Sequence, residues 1–300
     1  MFNDQFEGCI IGGAIGDAWG SSYENEVLID DSEIYYLGKK NNKIRNWMIT
    51  DDTQLTLATC EVLSKGNFNP ESLINQFIEY YRNKELIGVG ATTLKAILDK
   101  EAGFHWTQAG RSGEFAAGNG AAMRIAPFAF YSDITRENIF DACKITHRND
   151  EAFAGALAVY LSIKAIINKD WDGKNDLFDI IIPQLPDTRV KDRLIEISQY
   201  DLATTISTIA KLGNNGYVVN SVPFAIYCAT KILDIGLSGI FEEIIRSGGD
   251  TDTNASIAGQ IAGTLIGKDN IPNELLEKLK SLNEYKWIKE SIEKTKLSFH

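Results

Sequence analysis

Ile245-Arg246-Ser247-Gly248-Gly249-Asp250-Thr251-Asp252-Thr253-Asn254 joins two segments of apolar periodicity through a Gly-Gly break. It places two carboxylates and two hydroxyls within four consecutive residues, Asp250 to Thr253. Downstream, Ala255 to Gly267 has the pattern of one tightly packed helix. A second stretch of the same chemistry, Thr50-Asp51-Asp52-Thr53, stands far upstream and also opens a helix. Clustered carboxylates shielded from water either take up protons or need a cation. Oxygen from Asp and Thr is a hard ligand, suited to magnesium, manganese or calcium. Either stretch alone can be explained as ordinary helix capping. Two stretches with more acids and hydroxyls than a cap requires favour a metal site built from both. An EF-hand is excluded, because Ala255 stands where its turn glycine belongs and Ile261 where its bidentate glutamate belongs.

A chain of 300 residues suggests about two domains by length. No Pro/Ser-rich linker or break in composition divides it, so a single domain over residues 1–300 is expected. The formal charge of −11 argues against general nucleic-acid binding, which needs basic surface. It leaves room for a small anionic ligand held by local donors. Cys9, Cys60, Cys143 and Cys228 lie among apolar residues without CxxC or Cys/His spacing, the pattern of buried reduced thiols. Asp4 and Glu7 precede the first apolar run, unlike a signal peptide, and apolar runs stop well short of about 20 residues. A cytoplasmic protein, monomeric and without membrane attachment, is expected.

Gly8, Gly12, Gly16 and Gly20 recur at four-residue spacing in the first helical segment, and Gly259, Gly263 and Gly267 repeat the device late in the chain. Glycine costs a helix about 1 kcal/mol each relative to alanine, and close backbone packing is the natural compensation. The two segments are therefore expected to pack together, bringing Asp17 near the later acidic stretch. Residues from Ser21 to Ile49 read as a mobile flap with a strand-like piece at Glu33-Ile34-Tyr35-Tyr36 and Glu24 at its start. Thr50 caps a helix to about Ser64, Asn69-Pro70 starts another, and Ala91 to Glu101 gives a third. Gly118-Asn119-Gly120-Ala121-Ala122-Met123-Arg124 is a glycine loop entering a short apolar helix ended by Pro127. Such a loop can hold a phosphate, but taken alone Gly-Asn-Gly is read first as a turn, and it matches neither the dinucleotide fingerprint nor the P-loop. Thr135 to Thr146 is helical, His147 sits at a junction, and Asp150 is expected to cap the long helix Glu151 to Ile167. Asp170 to Asn214 reads as peripheral helices; an apolar helix covers Phe224 to Leu233, and Ser238 precedes a short helix leading into the opening motif. Strand alternation is almost absent, so the fold is expected to be all-α.

Taken together, Gly12-Gly13-Ala14-Ile15-Gly16-Asp17-Ala18-Trp19-Gly20 with Tyr23-Glu24, Thr50-Asp51-Asp52-Thr53, the Gly118–Arg124 loop, Thr146-His147 and Gly248–Thr253 resemble the ADP-ribosylglycohydrolases. The resemblance implies a compact orthogonal helical bundle with two magnesium ions in a central cleft, manganese being able to substitute. It assigns Thr50, Asp51, Asp52, Asp250, Asp252 and Thr253 as metal ligands and Glu24 as a flap glutamate. Gly118, Gly120, Ala121 and Met123 correspond to the loop lining the ADP-ribose site, and His147 to a ligand-contacting histidine. The implied activity is hydrolysis of a glycosidic bond between ADP-ribose and an acceptor such as an arginine or serine side chain. Glu24 and Asp250 are the candidates for proton transfer; a metal ligand is less free to accept a proton, which favours Glu24. A nucleobase or small ADP-ribose conjugate is an alternative acceptor. Two other classes are a non-catalytic ADP-ribose binder and an immunity protein that neutralises a toxin partner by hydrolysis or by blocking it.

Overall fold

In the computed structural model, residues 2–24, 46–201 and 203–299 are described. The strand-like piece at Glu33–Tyr36 and most of the expected flap lie outside them. Among the described residues the chain begins with α1 (Phe2–Gly20), α2 (Asp51–Leu63), α3 (Pro70–Arg82) and α4 (Ala91–Glu101). Then come α5 (Arg136–Lys144), α6 (Asp150–Ile167), α7 (Leu177–Ile181), α8 (Arg189–Ser198) and α9 (Ile206–Ala210). The last five are α10 (Val218–Thr230), α11 (Ile232–Ser247), α12 (Thr251–Ile266), α13 (Asn273–Lys280) and α14 (Tyr285–Lys296). Two-residue strands, β1 (Arg111–Ser112) and β2 (His147–Arg148), pair in parallel. The fold is all-α, and no helix among the described residues is long and apolar enough to cross a membrane.

α1 and α12 lie antiparallel in backbone contact at the centre. A Cβ added at Gly8 would overlap Gly263 and Gly267, one at Gly12 the Gly259 carbonyl, one at Gly16 the Ala255 carbonyl, and one at Gly20 Thr251 and Asp252. The glycine spacing is thus a packing surface, and α1 is buried on nearly all sides beyond Phe6. Because the helices are antiparallel, the C-terminal end of α1, with Asp17, meets the N-terminal start of α12. The core around this pair extends from Phe6 to Ile292. All four cysteines are buried and free of disulfides, and burial pushes the Cys9 and Cys143 thiols up to about 12.

Local chemistry sets most helix starts. Asn69 accepts from Glu71 N at 2.8 Å with Pro70 in the first turn, and Thr135 forms a capping box with Asn138. Five boundaries differ from the sequence reading. Asn149, not Asp150, caps α6, accepting from Glu151 N and Ala152 N at 2.8 and 3.1 Å. Pro127 ends no α-helix; it opens the 3-10 turn Ala126–Phe130. α10 starts at Val218 and carries Pro223 inside it, while α12 starts at Thr251, directly on the acidic motif. The short helix placed after Ser238 is instead part of α11, whose real break is Gly236 at φ 67°.

The Gly12–Gly259 contact gives a test of sign. Helix propensity alone favours alanine at position 12 by about 1 kcal/mol. Overlap with a backbone carbonyl reverses this, and overpacking typically costs about 1–3 kcal/mol. Gly12→Ala should therefore lower Tm in thermal unfolding; an unchanged or raised Tm would show that the two helices are not in backbone contact.

Candidate metal centre and ligand loop

α2 begins with Thr50 as its N-cap, and the Thr50 hydroxyl accepts from Asp52 N at 3.4 Å. The same hydroxyl donates to Asp17 Oδ1 at 2.7 Å, and the Thr50 amide donates to Asp17 Oδ2 at 2.9 Å. Thr53 adds its amide and hydroxyl to Asp17 Oδ2, at 3.1 and 2.5 Å. One buried carboxylate on α1 thus holds the first turn of α2. Asp51 is held from the other side: its amide donates to the Ile87 carbonyl at 2.8 Å, and Gly90 N donates to its Oδ2 at 3.3 Å. Gly88, at φ +80°, lets that segment pass close to Thr50 and Asp51.

The start of α12 closes onto the same point. Thr253 Oγ1 donates to Asp52 Oδ2 at 3.1 Å, and Thr251 Oγ1 anchors to the Gly20 carbonyl at 2.8 Å. Asp17, Asp52 and Asp252 each bring a carboxylate oxygen within 4.8 Å of the others, all buried, a group that could hold a metal ion. The oxygens of Asp17 are already engaged by Thr50 and Thr53, so its part is to organise the turn. Asp52 Oδ1, by contrast, is buried without a hydrogen-bond partner among the described residues. Burial raises the Asp52 carboxyl well above the carboxylate range, with Asp252, Asp17, Asp51 and Asp250 adding repulsion. Burial likewise raises Asp252, followed by its contact with Asp250. Buried acids that repel one another, one with an orphaned oxygen, fit a divalent cation with hard-oxygen preference. Capping accounts for part of Thr50 but not for Asp250, which occupies the N-cap position of α12 with no side-chain capping bond.

Glu24 is exposed, just after the 3-10 turn Ser21–Tyr23, and its charge reaches Asp252. Beside it, Ser21 Oγ donates to the Met48 carbonyl at 2.7 Å and Ser22 Oγ to the Asn46 carbonyl at 2.9 Å.

The glycine loop is braced from behind. Met123 O accepts from Thr56 Oγ1 at 3.2 Å and from Gln260 Nε2 at 2.6 Å, tying the loop exit to α2 and α12. The buried Arg124 donates to the Gly120 carbonyl, to Ala142 O at 3.1 Å and to Thr146 Oγ1 at 2.8 Å, above the Phe77 ring. Thr146 Oγ1 in turn pairs with His147 Nδ1 at 2.7 Å. The His147 ring lies against Gly118 and Gly120: a Cβ at Gly120 would sit 3.0 Å from His147 Cε1. Burial, then Arg124, push the imidazole down to about 3, so it is neutral at physiological pH. Gly120 does not have a positive φ; its need is room beside His147. Asn119 bonds to Asp250 at 2.7 Å, linking loop and acidic motif.

The structure therefore brings Thr50, Asp51, Asp52, Asp252 and Thr253 together in buried positions with Asp250 at their edge. It sets Gly118, Gly120, Ala121, Met123 and His147 in a second, connected layer. Sequence reasoning put Asp17 nearby without a role, and passed over Asn119, Arg124 and the Ile87–Gly90 segment. The signal for Asp17 was its place at the end of the glycine register; the others act through contacts between distant residues. Asp17→Asn tests the organiser: an amide cannot accept all four donors. It should weaken manganese(II) binding by about 10- to 100-fold, the usual cost of losing a supporting residue, read as the midpoint of thermal stabilisation. An unchanged midpoint would remove Asp17 from the site.

The sequence pattern of ADP-ribosylglycohydrolases matches residues 1–299. The chain is 27% identical over 317 residues to an ADP-ribosylhydrolase ARH3 of Danio rerio, covering 91% of this chain and 85% of that protein. It is 26% identical over 315 residues to the Homo sapiens ADP-ribosylhydrolase ARH3, covering 89% and 87%. It is also 25% identical over 295 residues to the ADP-ribosylarginine hydrolase Tri1 of Pseudomonas putida (strain GB-1), covering 92% and 74%. A solved structure titled an ADP-ribosylglycohydrolase-related protein complex shares the fold, with TM-score 0.74 at 19% identity, over 100% of this chain and 99% of that one. With the pattern spanning the chain and the helical bundle shared throughout, the chain belongs to the ADP-ribosylglycohydrolase family of glycosidic-bond hydrolases.

Proposed function

We propose that the chain is a magnesium-dependent hydrolase that frees ADP-ribose from a modified protein side chain, arginine or serine, acting as one domain. Two magnesium ions, replaceable by manganese, would be held by Thr50, Asp51, Asp52, Asp250, Asp252 and Thr253. The observation that carries this reading is the convergence of two acidic helix starts beside the Gly118–Met123 loop, with Asp52 Oδ1 buried and unpartnered. The relatives named as an ADP-ribosylhydrolase and an ADP-ribosylarginine hydrolase support the substrate class.

Bound magnesium supplies Lewis acidity toward ribose hydroxyls and toward water. The residues of the chain do the rest. Gly118, Gly120, Ala121 and Met123 shape the diphosphate seat, and neutral His147 supports the loop without adding charge. The bond from the anomeric carbon to the acceptor atom breaks, hydroxide from water joins the carbon, and the acceptor leaves with the remaining proton. Carboxylates around that carbon stabilise its developing positive charge. Glu24, exposed and near Asp252, is free to take the proton from water and pass it on; Asp250 is the second candidate.

Mass spectrometry of products from arginine-, serine- and nucleobase-linked ADP-ribose tests the proposal. Free ADP-ribose should appear from an arginine or serine conjugate with magnesium and vanish with excess chelator. No release from any of the three would overturn it, and release only from the nucleobase conjugate would move the acceptor class. Glu24→Gln should lower kcat by about 100- to 10,000-fold, the range for general acid–base work, without loss of metal affinity. Unchanged turnover would shift that role to Asp250.

A further inference from the structure

We propose that Asn119 is a positioning residue that fixes the orientation of Asp250, working through a closed set of hydrogen bonds with Ser221, Asn254 and Asn214. The inference rests on the reading of Asp250 as a working carboxylate of the proposed centre. Asn119 uses both hydrogens of its amide: Nδ2 donates to Asp250 Oδ2 at 2.7 Å and to Ser221 Oγ at 3.0 Å. Ser221 Oγ then donates to Asn254 Oδ1 at 2.8 Å, and Asn254 Nδ2 donates to the Asn214 carbonyl at 2.7 Å. That carbonyl also accepts from Asp250 N at 3.0 Å, returning to the residue where the path began. Asn214 Nδ2 finally holds the Ser247 and Gly248 carbonyls at 3.1 and 2.8 Å, so the Gly-Gly turn is part of the same set.

Direction makes the set specific. A carboxylate can only accept, so the Asn119 amide must turn its NH2 toward Asp250, which leaves the Ser221 hydroxyl proton to serve Asn254. Ser221 and Asn254 are fully buried, and a partly satisfied buried network costs more than none. The bland explanation is that asparagine merely suits the 3-10 turn at Asn119–Ala121. A turn residue of that kind bonds its own neighbouring backbone. The Asn119 side chain instead reaches partners 102 and 131 residues away. Backbone contact supports the same junction: Asn119 N donates to the Gly216 carbonyl at 3.2 Å, and a Cβ at Gly216 would lie 3.1 Å from Asp250 Oδ2. Asn119 thus makes the loop proposed to seat the diphosphate and a proposed metal ligand one rigid unit.

The test compares wild type with Asn119→Asp, Asn119→Ala and Ser221→Ala. Manganese(II) affinity is measured by electron paramagnetic resonance without substrate, and kcat and KM separately with the conjugate that wild type cleaves. Asn119→Asp keeps shape but turns the donor into a like charge facing Asp250. It should weaken manganese binding and lower kcat by about 10- to 100-fold, the range for groups that orient metal ligands. Asn119→Ala should fall in the same direction, and Ser221→Ala, which removes one hydroxyl, by a smaller factor. A purely structural asparagine would lower Tm and leave the manganese Kd of the folded protein unmoved, with Asp tolerated as an isostere. If wild type binds manganese and the folded variants, Ser221→Ala included, bind it equally or more tightly, the positioning role is overturned alone. If wild type binds none, the proposed centre falls and this inference with it.

Discussion

Asp17 accepts two amides and two hydroxyls from Thr50 and Thr53, and the candidate site depends on that grip. A helix start leaves amides without intrahelical partners, and here a carboxylate from another helix satisfies them inside the core. The bond works only because α1 is already fixed. Its glycines bring it into backbone contact with α12, so the residue that organises α2 is carried to the start of α12 as well. Three helices far apart in sequence thereby share one point. Any side chain on the glycine face would separate them and disperse the acids.

The electrostatics follow from this geometry. Burial raises Asp17 against the lowering effect of its bonds to Thr53 and Thr50, and burial followed by mutual repulsion raises Asp51, Asp52 and Asp252, a configuration that a folded chain sustains at the expense of stability. A bound cation would reverse the sign of that contribution. On the loop side the opposite problem is solved by different means. Arg124 is a buried cation whose hydrogen bonds all go to neutral acceptors, Gly120 O, Ala142 O and Thr146 Oγ1, and its charge helps keep His147 neutral. The histidine that faces Gly118 and Gly120 therefore stays uncharged at physiological pH.

Much of this was legible in the residue order. Period-four glycines announced the α1–α12 contact, and Asn69-Pro70 and Thr50 announced helix starts, since both signals are local steric or capping effects. Helix boundaries at Pro223, Asn149 and Gly236 were less legible. Proline is tolerated inside α10, Asn149 and Asp150 are equally good caps by composition, and a glycine break looks the same in sequence whether it kinks or ends a helix. In the site, the acids stood out by their density, whereas Asn119, Ser221, Asn254 and Asn214 did not. Each is an ordinary turn or helix residue taken alone; its function exists only in bonds between segments that sequence separation hides.

We propose that the starts of α2 and α12 form a single cation centre. Anomalous diffraction from crystals grown with manganese tests it most directly. Two peaks are predicted, bounded by Asp51 and Asp52 on one side and Asp250 and Asp252 on the other, with Asp17 bonded to Thr50 and Thr53 rather than to metal. A map without anomalous density between those carboxylates, at manganese concentrations that produce peaks elsewhere on the protein, would contradict the account.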